Sequence, residues 1–63
     1  MFIYLTLPGD DPVAVNTDNI TSITPYEEKF TVIFFNYLES NGSTANTVVK
    51  ESFTEVKNIL MKL

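Results

Sequence analysis

The run Phe30-Thr31-Val32-Ile33-Phe34-Phe35-Asn36-Tyr37 carries bulky apolar groups at both parities of what its aromatic and β-branched content predicts to be a strand. Side chains alternate across a strand, so Phe30, Val32 and Phe34 face one side and Ile33, Phe35 and Tyr37 the other. Such a strand has to be covered twice, yet the whole chain is 63 residues long, enough for one small α+β domain over residues 1–63. How so short a chain covers both faces is the question that constrains its architecture most.

The remaining elements follow from local signals. Residues 2–7 alternate, with Ile3, Leu5 and Leu7 on one side and Phe2 and Tyr4 on the other, which predicts a first strand. Pro8-Gly9-Asp10-Asp11-Pro12 is a dense turn in which glycine can supply a positive φ, and residues 13–16 return as a second strand. A corner at Thr17-Asp18-Asn19 leads to a third strand over 20–24, ended by Pro25, and Tyr26 to Lys29 form the next turn. Asn41-Gly42 predicts a two-residue type I′ hairpin before a fifth strand at 45–50. That turn would set Phe34 opposite Val49 and Phe35 opposite Val48.

The C-terminus reads as a helix of about 12 residues. Ser52-Phe53-Thr54-Glu55 has capping-box spacing, and Phe53, Val56, Ile59, Leu60 and Leu63 recur at three- and four-residue intervals as one apolar stripe. Lys62 falls in the predicted last turn, where a cation complements the helix dipole. The expected architecture is a strongly bent antiparallel sheet of four or five strands with one C-terminal helix. That helix covers one sheet face. The other is closed by the sheet curling into a small barrel or by a second copy of the chain, and a symmetric dimer is the commoner solution. The expected self-association face is Phe2, Tyr4, Ile33, Phe35 and Tyr37.

Chemistry is narrowed by what is missing. The chain has no His, Cys, Trp or Arg, which removes the usual general base, the thiolate nucleophile and the commonest metal ligands. No catalytic, cofactor-binding or metal-ligating residue is expected. Asp10 and Asp11 lie between prolines without the ligand series of a calcium loop, so they read as turn residues. Glu27 and Glu28 are adjacent and point apart, so they read as a solvated turn. Ser52 has no base to activate it, and its expected role, with Glu55, is the helix cap.

Net charge is −4, and the lysines are scattered at 29, 50, 57 and 62. Phosphate binding depends on clustered cations, so the balance disfavours nucleic acid as a partner. The apolar start, Met1 to Leu7, is too short to span a membrane and has no basic flank, so no insertion is expected and the cytoplasm is the expected location.

Met1, Ile3 and Leu5-Thr6 in the opening strand, then Val15-Asn16, Ile20, Ile23 and Thr31-Val32-Ile33, form a pattern that continues to Val49-Lys50-Glu51-Ser52, Glu55-Val56 and Ile59. It resembles the FlbD/SwrD family of small flagellar and swarming-motility proteins almost from end to end. The chain departs from that family at Leu38–Asn46, which is several residues longer than the usual hairpin, and in its opening turn. The resemblance implies a non-enzymatic adaptor and brings no catalytic residues with it. The competing expectation is a small nucleic-acid-binding regulator of phage or mobile-element type.

Overall fold

A computed structural model describes all 63 residues. Five strands, β1 (Phe2–Thr6), β2 (Pro12–Asn16), β3 (Ile20–Tyr26), β4 (Phe30–Leu38) and β5 (Thr44–Val49), precede one helix, α1 (Phe53–Met61), with a 3-10 turn at Thr17–Asn19. The fold is α+β, as its sequence pattern predicts. The strands, however, form two sheets, a β1–β2 hairpin and an antiparallel β3–β4–β5 sheet, instead of one strongly bent sheet.

Two features divide them. The 3-10 turn, held by the Asn16 side chain accepting from the Asp18 amide at 3.1 Å, redirects the chain between β2 and β3. The free edge of β1 meets the far end of β5 through a single backbone bond, Lys50 N–H to Thr6 C=O at 2.7 Å. The chain then leaves the sheet for the helix cap, so no ladder can follow.

The division answers how β4 is covered. Ile33 and Phe35 face a core shared with Ile3, Leu5 and Val15 of the hairpin, Ala45 and Val49 of β5, and Val56 of the helix. Hairpin and helix together cover the Ile33 side, and Phe30, Val32 and Phe34 are left half-buried on the other. Ile20 and Ile23, three residues apart, both pack on this core because β3 has a register shift between Ile20 and Ser22. Thr21 takes up the extra residue and its hydroxyl donates to the Phe34 carbonyl at 3.2 Å. A regular strand would have turned one isoleucine outward.

Several local expectations are corrected. Asn41-Gly42 is not a two-residue type I′ turn. The Glu39 amide donates to Ser43 C=O at 2.8 Å and the Gly42 amide to Glu39 C=O at 2.9 Å, which closes a three-residue loop in which Gly42 alone has positive φ, 86°. A further irregularity between Phe34 and Leu38 shifts β4 against β5, so Phe34 lies opposite Asn46, and Val49 opposite Thr31. The net shift is odd, and an odd shift exchanges faces. It brings Val49 and Thr31, both fully buried, together on the inner side.

Pro25 does not end β3. It lies within the strand opposite Thr31, tolerated because β3 is an edge and its outer side needs no N–H donor. In the first turn the residue with positive φ is Asp10, at 73°, and not Gly9. The helix is nine residues long, about 13 Å, and Lys62 is its C-cap beyond the last turn.

Candidate interaction surfaces

The helix begins where the sequence pattern places it. Ser52 has extended backbone, its hydroxyl accepts from the Glu55 amide at 3.2 Å, and the Glu55 carboxylate accepts from the Ser52 amide at 3.2 Å. This satisfies two donors that a helix end leaves open. Val56 is fully buried and Ile59 and Leu60 pack on the core, while Leu63 lies beyond the helix, exposed.

Beside the cap, Glu51 fastens the molecule together, a role that sequence reasoning misses. Its carboxylate accepts from the Thr6 amide at 3.0 Å and the Thr6 hydroxyl at 2.9 Å, and its carbonyl accepts from the buried Thr31 hydroxyl at 2.8 Å. One residue thus joins β1, β4 and the approach to α1. Lys50 adds an ion pair with Asp10 in the first turn. No local signal marks Glu51, because its partners lie 45 and 20 residues away. Every buried side-chain polar atom has a hydrogen-bond partner.

The expected self-association face separates into two groups. Ile33 and Phe35 belong to the core of the single chain and cannot form an outer surface. Phe2 and Tyr4 point outward from the hairpin, 63% and 77% exposed. Their cross-strand neighbours, Asn16 and Ala14, are both uncharged. Tyr37, half exposed, stacks on Phe35 with ring centroids 5.6 Å apart and planes at 21°, and so extends the core outward. The parity assignments on β1 and β4 are right. Grouping Phe2 and Tyr4 with the Ile33 side of β4 is wrong, because Ile3 and Leu5 pack against that side.

A second uncovered surface lies on the outer side of the three-stranded sheet. Phe30, Val32 and Phe34 run along its middle strand, with Tyr26 opposite Phe30 and Val48 opposite Val32. None of these side chains belongs to the core or packs against it. At its Phe30 end is a hollow of about 420 Å³ lined by Glu27, Glu28, Lys29 and Phe30. Glu27 holds a positive φ of 53°. A smaller polar hollow of about 250 Å³ is lined by Thr6, Lys50, Glu51 and Glu55.

No group of three or more metal-ligating side chains is assembled. No helix is long and apolar enough to cross a membrane. Comparison with family models, curated proteins and solved structures finds no match to this chain.

Proposed function

We propose that the chain is a non-enzymatic protein-interaction module of FlbD-like type, acting as an adaptor and pairing with a second copy through its hairpin. The observation that carries this reading is the outward pair Phe2 and Tyr4, both exposed and set opposite the uncharged side chains of Asn16 and Ala14. Aromatic side chains anchor interfaces because each has a large apolar surface to bury at little conformational cost. A stable dimer covers about 800 Å² per partner, so these two residues are the anchors within a larger contact that includes Ala14 and Pro12. Both are exposed beside them.

The FlbD-like part of the reading rests on Val49-Lys50-Glu51-Ser52 with Glu55-Val56, the segment that makes the junction of sheet, hairpin and helix. The non-enzymatic part rests on composition: Ser52 is a cap, and the chain contains neither His nor Cys.

Sedimentation at micromolar concentration tests the proposal. The expected result is a species of twice the 7.1 kDa chain mass, and a Tyr4→Glu variant that sediments as a folded monomer. A wild-type chain at its own mass at all concentrations overturns the dimer. Retention on DNA that falls steeply with salt replaces the adaptor reading with the nucleic-acid one.

A further inference from the structure

The outer face of β3–β4–β5 differs from the hairpin face in its surroundings. Helix α1 and the hairpin fill the inner side of this sheet, and none of the outer side chains joins the core they build, although sheets with an apolar face are stable when something packs against it. Phe30, Val32 and Phe34 form an apolar row along that side, with Val48 and Tyr26 flanking it. The row ends at the turn where Glu27 and Glu28 are both exposed and Lys29 is the one cation. Lys50, the nearest other lysine in the chain, is already paired with Asp10.

From this arrangement we infer that the outer face of the three-stranded sheet docks a basic amphipathic helix supplied by another protein. An extended segment is the wrong occupant for a sheet face. Its backbone N–H and C=O groups would lie over apolar side chains without partners, whereas a helix satisfies its own. Phe30 to Phe34 spans about 13 Å along the strand, which matches two to three helical turns of apolar side chains. Charge decides the rest. A segment rich in Lys or Arg at one end is drawn to Glu27 and Glu28, whereas a second copy of this chain brings a net charge of −4. The proposal rests on the interaction-module reading and adds to it a second surface and the chemistry of its partner. With the hairpin used for pairing, each copy keeps this face free for another protein.

The probe is a two-heptad synthetic peptide with leucine on one helical face and lysine on the other, titrated into the isotope-labelled full chain and followed by amide chemical shifts. Shifts are expected at Thr24, Val32, Phe34 and Val48, and the same peptide with glutamate in place of lysine is expected not to bind. The double variant Glu27→Gln, Glu28→Gln, both exposed and remote from the core, should weaken binding about fivefold and bind less salt-dependently. Val32→Lys should abolish it, and the double variant keeps the test valid if that chain does not fold.

The inference is overturned if neither peptide binds, if both bind equally, or if the double variant binds as tightly as the wild type. It is equally overturned if the shifts map to Phe2 and Tyr4, or if the four sheet amides respond to protein concentration alone, which would assign the face to a second copy. None of these outcomes bears on sedimentation of Tyr4→Glu, so failure here and failure of the hairpin dimer are read separately.

Discussion

The turns at Leu7–Asp11 and Glu39–Ser43 are built alike and held differently. In each, an amide closes back three residues, Asp10 to Leu7 and Gly42 to Glu39, both at 2.9 Å, and an outer bond at 2.8 Å joins the flanking strand ends. In each, the third loop residue is left-handed, Asp10 at φ 73° and Gly42 at φ 86°. The first turn is fastened to the rest of the molecule by Lys50 on Asp10 and by Glu51 on neighbouring Thr6. The second is exposed from Glu39 to Thr44, and its only side-chain bond is local, the Ser43 amide to Asn41 Oδ1 at 2.9 Å. Where distant contacts hold the hairpin, an aspartate occupies the strained position. The solvent-held hairpin uses glycine, which bears no steric penalty there.

The sharpest way to break this contrast is to remove the fastening. Glu51→Ala deletes both bonds to Thr6 and is expected to lower unfolding free energy by about 1.5–3 kcal/mol, the range for hydrogen bonds to a charged group. Urea denaturation reads the loss, and amide exchange should show it concentrated in β1 and the first turn. An unchanged midpoint means that burial of Ile3 and Leu5 alone holds the hairpin. Next in size, Gly42→Val puts a β-branched residue at φ 86° and is expected to cost about 1–2 kcal/mol by thermal unfolding. Nothing lies within 4 Å of the added Cβ, so that cost is backbone strain and not a clash.

Ser52→Ala follows, at about 1 kcal/mol, the usual loss on removing an N-cap. Because the cap adjoins Glu51, this variant separates helix fraying from loss of the hairpin attachment. Helical circular dichroism should fall while exchange in the first turn stays slow. Fast exchange there would mean that Glu51 depends on the cap for its position.

What the sequence makes legible follows the distance over which each feature is decided. The capping box is complete within four consecutive residues, and it stands as its spacing predicts. The five strands and their approximate bounds are likewise visible in alternation and turn residues. The loop at 40–42 is not, because Asn-Gly serves both a two-residue and a three-residue hairpin, and the choice is made by what the strands bury. With β4 apolar on both sides, either register pairs hydrophobic residues. Only the placement of Val49, Ala45 and Thr31 against a core completed by Ile3, Leu5 and Val15 selects one. The same dependence hides the candidate surface. That Ile33 and Phe35 are inside, and Phe34 outside, is fixed by a hairpin that β4 does not touch in sequence.

The smallest effect tests the likeness of the two turns most closely, because its sign differs between them. Gly9 has no positive φ, and an added Cβ there meets nothing within 4 Å. Alanine at this position removes freedom from the unfolded chain without straining the folded one, and Gly9→Ala should stabilise by about 0.4–1 kcal/mol. The same substitution at Gly42 should destabilise, since alanine gains the left-handed conformation only at a steric penalty. Paired thermal unfolding of Gly9→Ala and Gly42→Ala therefore moves midpoints in opposite directions if the left-handed residue is third in both loops. If both midpoints fall, the glycine of the Pro8-Gly9 pair carries the positive φ in solution. The first turn is then a different loop from the second, and Asp10 is not strained.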